Sequence, residues 1–357
     1  MFSVEIIPHR LHFNQPFVIA YETVNCADVV VVALSDGPYT GLGSASPSVE
    51  YVGETIESTL EILNKYITSD FFDRPLDDLV YYHEKIQQVL GGFPSSQSAV
   101  EEALLNLHAM RLGITLADVF GGALRSSFPI MFTLDMQDIA GTLIEARERV
   151  EQGYTVLKLK CGLDPEKDIE KIKRLSIMLP STIKLTLDAN QGYDTVNAEK
   201  VLRAVDQYDR VVLIEQPTPE RDWDALKYLR SVSRIPIVAD ESAVSVEDTI
   251  SLLKGDYVDG VNIKLMKCGG PLNFITLFKE TCALGKIAMM GCVYESNISI
   301  TTGAYLALTL PLDYIDLDSG HLDFLDDPAA GGVKFDRGII KSFSPMLLRK
   351  IIESKVN

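Results

Sequence analysis

Acidic residues follow three short apolar segments in the second half of this chain. Asp188 ends the run IKLTLD, Glu215 ends VVLIE and Asp240 ends IPIVAD. Neighbouring strands lie about 4.8 Å apart, so carboxylates at the ends of three consecutive strands can converge. Their repulsion requires a counter-charge, which a hard divalent cation with oxygen ligands supplies. The sequence therefore predicts a Mg²⁺ site at these three acids; the alternative is that they are solvated strand ends.

Two lysines lie on either side of these acids along the chain. Lys160 ends TVLKLK and Lys264 ends GVNIK. On strands two and six of an eight-stranded ring they would face each other across the metal site. Such a pair can remove a proton from one face of a carbon and return a proton to the other face, while Mg²⁺ stabilises the enediolate formed next to a carboxylate. Either lysine alone could instead be a structural partner of an acid.

The segments that carry these residues repeat at an even spacing. Eight apolar runs end near residues 133, 160, 188, 215, 240, 264, 291 and 316. One strand, one crossover helix and two loops fill a repeat of this length. Eight such strands form a (β/α) barrel, in which functional residues lie at the carboxyl ends of the strands. Two unrelated α/β domains with similar loops are the alternative.

The first third of the chain has a different pattern, with strands before helices, which is typical of an α+β unit. The β segments are predicted at 3–11, 16–24 and 28–35, and the helices at 53–66, 75–90 and 96–113. We therefore predict a capping domain over residues 1–125 and a barrel over 126–325. A C-terminal segment over 326–357 is expected to pack back on the capping domain.

Composition limits the classes of function. The 357 residues include 33 basic and 50 acidic side chains, which gives a net charge of −17. An acidic surface repels nucleic acid and anionic lipid, so we predict neither as a partner. We see no signal peptide and no apolar run near the ~20 residues of a membrane helix. We expect a cytoplasmic protein that binds a small molecule; the sequence leaves open whether it forms a homo-oligomer.

Five motifs, taken in order, resemble those of the enolase superfamily, muconate-lactonizing subgroup: TVLKLKCG, TLDANQG, LIEQP, VADES and NIKLMKCGG. The resemblance spans nearly the whole chain and implies a modified (β/α)7β TIM barrel with an N-terminal α+β capping domain. Asp316-Leu317-Asp318 is similar to the Asp-x-Asp motif of the dipeptide epimerases in this subgroup. Two carboxylates can hold the α-ammonium group of a dipeptide by charge-assisted hydrogen bonds; the alternative is a solvated acidic loop.

The same resemblance implies roles for the other site residues. Lys160 and Lys264 would be the acid–base pair, and the three acids named first would be the Mg²⁺ ligands. Lys158 would orient the substrate carboxylate, and Thr133 would contact the substrate. The groups expected to support these residues from behind are Asn190, Glu241 and Asn262.

One departure from the family pattern bears on the substrate. Epimerases that act on Ala-Glu carry an arginine in the capping domain, whereas Glu22 lies at about that position and no Arg or Lys occurs over residues 16–35. We therefore expect inversion of the C-terminal residue of L-Ala-L-Xaa dipeptides, with Xaa neutral or hydrophobic and Glu22 at the binding pocket. The alternatives are an o-succinylbenzoate synthase or cycloisomerase reaction and, in another class, an inactive binding barrel.

Overall fold

An antiparallel sheet forms the start of the chain in the computed structural model, which describes residues 2–18, 23–321 and 324–349. Its strands are β1 (Phe2–Val18), β2 (Thr23–Asp36) and β3 (Tyr39–Ala45), in that order across the sheet. In the segment predicted at 16–24, the described residues do not form a separate strand: residues 16–18 end β1, residues 23–24 begin β2, and these two ends pair with each other.

Helices follow this sheet in the N-terminal part of the chain, and one of them packs directly on strand β3. Two glycines in β3 explain why the sequence prediction omits this strand. The helices are α1 (Val49–Val52), α2 (Ile56–Tyr66), α3 (Leu79–Val89), α4 (Pro94–Leu112) and α5 (Leu116–Val119). A Cβ atom on Gly41 would lie 2.1 Å from the Ala103 carbonyl oxygen of α4, and one on Gly43 would lie 1.9 Å from that of Ala99. Because α4 lies directly on the β3 backbone at these two positions, glycine replaces the larger side chains that a strand pattern would show there.

Eight parallel strands form the main sheet, as the even spacing predicts. They are β4 (Phe132–Leu134), β5 (Val156–Lys160), β6 (Lys184–Asp188), β7 (Val211–Glu215), β8 (Ile237–Ala239), β9 (Gly260–Ile263), β10 (Ile287–Met290) and β11 (Tyr314–Ile315). Neighbours in the sheet are neighbours in the chain from β4 to β11. The backbone N–H of Met131, just before β4, donates to the carbonyl oxygen of Ile315 in β11 (2.8 Å). The sheet therefore curls until its first and last strands meet, and the predicted fold class is confirmed.

Helices connect these strands and cover the outer face of the sheet. They are α6 (Ile139–Glu151), α7 (Pro165–Met178), α8 (Thr195–Val205), α9 (Trp223–Val232), α10 (Val246–Lys254), α11 (Leu265–Cys268), α12 (Pro271–Ala283) and α13 (Asn297–Thr309). A large apolar core lies between the helices and the sheet. A smaller cluster made by Met131, Leu213, Val238 and Met289 is separate from it. Among the described residues, no helix is long and apolar enough to cross a membrane.

A C-terminal hairpin completes the fold, with strands β12 (Ala329–Asp336) and β13 (Ile339–Leu348). Ala329 and Met346 of this hairpin share a buried apolar cluster with Val31 of β2, Leu42 of β3 and Ile298 of α13. The hairpin therefore packs against the N-terminal sheet and against the last helix of the barrel. The exact domain boundaries stay a prediction.

Candidate active site at the carboxyl ends of the strands

Charged side chains gather where the strands of the barrel end. Strand register aligns Lys160 with Asp188 and Asp188 with Glu215, at the last positions of β5, β6 and β7. Asp240 and Lys264 come directly after β8 and β9. Parallel strands present their carboxyl ends at one edge of the sheet, so these five residues lie at the same end of the barrel.

Lys158 lies among three of the predicted site acids. Its ammonium group is 2.9 Å from Asp188 Oδ2, 2.8 Å from Glu215 Oε2 and 2.7 Å from Asp316 Oδ2. Alternation along β5 directs Lys158 into the barrel, because Leu157 and Leu159 on either side belong to the core under the helices. One cation therefore holds together carboxylates from β6, β7 and the end of β11.

Lys160 lies on one side of this group. Its ammonium group donates to Asp188 Oδ2 (2.7 Å) and to Asn190 Oδ1 (2.8 Å). Asn190 in turn donates from Nδ2 to Glu241 Oε1 (3.1 Å), and its backbone N–H donates to Asp188 Oδ1 (3.0 Å). Asn190 thus links Lys160, Asp188 and Glu241 in one hydrogen-bonded group, and the supporting role of Asn190 and Glu241 stays a prediction.

Lys264 lies on the other side. It donates to Asp240 Oδ2 (2.7 Å), and its ammonium group is 4.8 Å from the centre of the Tyr51 ring on α1. Three strands, β6, β7 and β8, separate β5 from β9, and their carboxylates lie between the two lysines. The structure therefore brings Lys160 and Lys264 to opposite sides of one acidic cluster. Asn262 supports this cluster by donating to Glu215 Oε1 (2.8 Å).

The Asp316–Asp318 pair lies beside this cluster, next to β4. Asp318 Oδ2 accepts a hydrogen bond from the backbone N–H of Thr133 (3.3 Å). Burial raises the pKa of Asp318 to about 6, and the nearby Asp316 charge adds to this rise. Asp316 Oδ1 is buried and accepts no hydrogen bond from the described residues. An ammonium group brought to this pair would meet acceptors that the protein itself does not saturate.

A cavity of about 910 Å³, counted with the space that opens to solvent, connects these residues. On the barrel side it is lined by Lys160 and Lys264, by Lys158 and Thr133, and by the aspartates of the site. On the capping side Asp28, Glu50 and Tyr51 are among its lining residues. Glu22, which we expect at this pocket, lies outside the described residues.

Comparison with known proteins identifies the family. Residues 142–343 match the family model described as enolase C-terminal domain-like, and residues 1–121 match the N-terminal domain of mandelate racemase and muconate lactonizing enzyme. The chain belongs to the mandelate racemase and muconate lactonizing enzyme family. The predicted membership of the enolase superfamily is thereby confirmed.

Several relatives in this family are named for their substrates. The chain is 33% identical to an L-Lys-D/L-Arg epimerase of Methylococcus capsulatus, over 95% of each chain. It is 30% identical to an L-Ala-D/L-Glu epimerase of Clostridium acetobutylicum, over 92% of each chain. Among solved structures, a dipeptide epimerase of Enterococcus faecalis complexed with Mg and L-Leu-L-Tyr has a TM-score of 0.89 at 29% identity, over 95% of this chain and 96% of that one.

The carboxylates of this family member fit a divalent cation by their charge. Six acidic side chains, five of them buried and Asp318 half-buried, meet four lysines, so two negative charges have no partner when every group is ionised. The acids are Asp188, Glu215, Asp240, Glu241, Asp316 and Asp318, and the lysines are Lys158, Lys160, Lys264 and Lys267. Burial raises the pKa of Glu215 to about 7, and the Asp188 charge adds to the rise. Burial and the Asp240 charge raise the pKa of Glu241 to about 8. One divalent cation would neutralise the surplus.

The acids of the site nevertheless face lysines in this structure. Among the described residues, no three acidic, His or Cys side chains are arranged around a common point as metal ligands would be. Burial opposes ionisation of Asp188, but the Lys158 and Lys160 charges outweigh it and lower the pKa of this carboxyl to about 2. Since Asp188 and Glu215 contact the same ammonium group, they are close enough to share a cation in its place.

Two residues of this site are missing from the sequence prediction. Gln216 is fully buried, and its Oε1 accepts hydrogen bonds from the backbone N–H groups of Asp240 and Ser242 (3.0 Å each). Lys267 is buried and donates to the Asp240 carboxylate. Both residues stand inside quoted motifs, LIEQP and NIKLMKCGG. The signal that could have identified Gln216 is its place directly after the last residue of β7, and for Lys267 it is the position three residues after Lys264 in the same motif.

Proposed function

We propose that the chain is a Mg²⁺-dependent dipeptide epimerase that inverts the α-carbon of the C-terminal residue of L-Ala-L-Xaa dipeptides. The observation that carries the proposal is the position of Lys160 and Lys264 on opposite sides of one acidic cluster. A carbon held between them exposes one face to each lysine. Removal of its proton by one lysine and donation of a proton by the other inverts its configuration.

In this proposal, the cation would be held by Asp188, Glu215 and Asp240, and it supplies Lewis-acid stabilisation of the charge that develops on the substrate carboxylate. Lys158 then orients that carboxylate. Asp316 and Asp318 bind the α-ammonium group at the other end of the dipeptide, and Asp316 Oδ1 offers an acceptor that the described residues leave unpartnered.

The pKa of Lys264 bears on its part in the proposed two-base reaction. Burial lowers the pKa of Lys264, but the Asp240 and Glu215 charges outweigh it and raise the pKa above its ordinary value. Lys264 is therefore protonated while it pairs with Asp240. If Asp240 shared its charge with a cation, this attraction would weaken and Lys264 could exchange its proton with the substrate.

We propose a neutral or hydrophobic second residue, because the capping side offers no cation for an acidic one. Among the described residues that line the cavity from the capping side, none is Arg or Lys, and two are the acids Asp28 and Glu50. Arg10 neutralises Asp28 through two hydrogen bonds (2.7 and 2.8 Å). Glu50 is exposed and favours a cationic second residue as the second candidate.

Pools of L-Ala-L-Xaa dipeptides incubated with Mg²⁺ in D₂O test the proposal. Each epimerised dipeptide gains one mass unit at its α-carbon, so mass spectrometry identifies Xaa. We expect neutral or hydrophobic residues to exchange faster than Glu; faster exchange of Lys and Arg supports the second candidate. A preference for Glu, or a new absorbing product from β-elimination, contradicts the proposal.

Lysine variants test the two-base step. We expect Lys160→Ala and Lys264→Ala each to abolish epimerisation. Each variant should also retain α-proton exchange from only one of the two epimers, because the remaining lysine reaches only one face. Undiminished exchange from both epimers in either variant contradicts the assignment.

A further inference from the structure

Lys267 is a buried lysine whose three N–H donors are all used within the protein. Its side chain is 2% exposed. It donates to Asp240 Oδ1 (2.5 Å), to the Asp240 carbonyl oxygen (2.8 Å) and to the Asn262 carbonyl oxygen (3.0 Å). An ammonium group has three donors, so it is saturated without a substrate. Lys267 therefore does not bind substrate and acts through the groups that it holds.

Asp240 is shared between Lys267 and Lys264, which lie in the same turn of chain. Lys264 precedes α11 and Lys267 lies within it, and the Lys267 backbone N–H donates to the Lys264 carbonyl oxygen (3.0 Å). Lys267 takes Oδ1 of the carboxylate, whereas Lys264 takes Oδ2. The two oxygens thus differ in their partners, one being held by a saturated lysine and the other by a lysine that lines the cavity.

We propose that Lys267 is a positioning residue that fixes the Asp240 carboxylate, so that Oδ2 can pass from Lys264 to a divalent cation without rotation of the side chain. The inference rests on the proposed function, in which Asp240 is a metal ligand and Lys264 reacts with the substrate. Lys267 bonds both Asp240, directly after β8, and the carbonyl oxygen of Asn262 in β9, so its ammonium group connects the ends of these two strands. Lys264 lies only two residues beyond Asn262. Lys267 therefore fixes the Asp240 carboxylate and Lys264 relative to each other.

Metal affinity provides the first test, in protein freed of divalent ions by chelation and then titrated with Mg²⁺ in a calorimeter. Removal of a group that orients a metal ligand costs typically 10- to 100-fold in affinity. We expect Lys267→Met to raise the Mg²⁺ Kd by about 10- to 100-fold. Lys286→Met is the matched control, because Lys286 also bonds a carboxylate (Asp256) and a carbonyl oxygen (Val258, 2.8 Å), but at the opposite end of the barrel. The control should leave the Kd unchanged.

Proton exchange at saturating Mg²⁺ provides a second test that a merely structural role would not pass. Lys267 contacts the partner of Lys264 and has no contact with Asp188, the described partner of Lys160. Exchange in D₂O from the epimer that Lys264 deprotonates should fall more than exchange from the epimer that Lys160 deprotonates. The Lys160→Ala and Lys264→Ala variants identify which epimer is which. An equal loss for both epimers contradicts the positioning role.

Two further outcomes keep the tests decisive. If Lys267→Met does not fold, Lys267→Arg, which keeps the charge and N–H donors, is compared with Lys267→Gln. We expect the Arg variant to keep more Mg²⁺ affinity than the Gln variant. The reverse order contradicts the inference. If the wild-type protein binds Mg²⁺ and Lys267→Met binds it equally well, the inference alone is wrong. If the wild-type protein binds no Mg²⁺, both the proposed function and this inference are wrong.

Discussion

Glu102 is a fully buried carboxyl group outside the catalytic cavity, and it should give this protein an unusual dependence of stability on pH. It lies in α4 and is 0% exposed. Ser98 Oγ lies 2.9 Å from its Oε1, and Ser299 Oγ lies 3.0 Å from its Oε2. Burial raises the pKa of Glu102 to about 8, and the Glu295 charge adds to the rise.

The hydrogen bonds around Glu102 agree with a protonated side chain. Ser299 Oγ also lies 2.9 Å from the carbonyl oxygen of Ser44, and a carbonyl oxygen can only accept. The single hydroxyl proton of Ser299 can serve either this carbonyl oxygen or Glu102. When Glu102 carries a proton, it donates to Ser299, which then donates to Ser44, and each group has a partner.

The sign of the pH effect follows from the raised pKa. Between pH 4.5, the ordinary pKa of a glutamate side chain, and about pH 8, the folded state holds a proton on Glu102 that the unfolded state has released. Stability from this group is therefore fully present below pH 4.5 and is lost as the pH rises toward 8. One pKa unit corresponds to about 1.4 kcal/mol, so the free energy of unfolding should fall by about 3 kcal/mol between pH 5.5 and pH 9 from this group alone.

Glu102→Gln isolates this contribution, because glutamine has the shape of a protonated glutamate and does not ionise. We expect the stability advantage of the variant over the wild type to grow by about 3 kcal/mol between pH 5.5 and pH 9. Urea unfolding at half-unit pH intervals measures the difference. Glu57→Gln, at an exposed position of α2, is the control and should run parallel to the wild type. Parallel curves for Glu102→Gln and wild type would refute the reasoning.

Two other substitutions test how the site is built. Lys158→Met leaves buried carboxylates without their cation, so we expect the free energy of unfolding of the metal-free protein, measured in urea, to fall by about 3–5 kcal/mol. Mg²⁺ should stabilise this variant more than it stabilises the wild type. Equal stabilisation of both proteins by Mg²⁺ contradicts the charge argument. Gly162→Ala, at φ +111, places a Cβ atom 2.4 Å from the Ala189 carbonyl oxygen, between the loops that follow β5 and β6. We expect it to lower stability and activity more than Gly53→Ala, whose φ is +71 with no atom within 4 Å; equal losses would show that backbone strain alone matters.

The barrel and the strand-end residues could be predicted because they obey short-range rules. Each strand of the barrel is an apolar run of a few residues, and the first polar residue after it lies at the carboxyl end. This places Asp188 and Glu215 at the last positions of their strands, and it places Asp240 one residue beyond β8. Alternation also directs Lys158 into the barrel. These inferences need only the local pattern and the barrel topology.

The partners of these residues could not be predicted, because they depend on contacts distant in the chain. Lys158 meets Asp316, 158 residues away, and a flexible lysine side chain reaches several carboxylates of the same ring. Gln216 and Lys267 were missed since their roles appear only when the ends of β7, β8 and β9 are side by side. The β3 strand was missed because packing against α4, more than 50 residues later, requires glycine where a strand pattern would show large side chains.

The charge balance of the site explains why the lysines of one cluster differ. Lys160 and Lys264 can exchange their carboxylate partners, whereas Lys267 cannot. Buried carboxylates are costly without cations, so the metal-free protein needs every ammonium group of the site. A divalent cation would make some of those ammonium groups redundant. Lys158, Lys160 and Lys264 all line the cavity, where a substrate can reach them, and Lys160 and Lys264 are the proposed acid–base pair. Lys267 has all its donors bound to protein and has no reason to move. Binding of a cation would therefore free two lysines for proton transfer, while the carboxylate between them stays where Lys267 holds it.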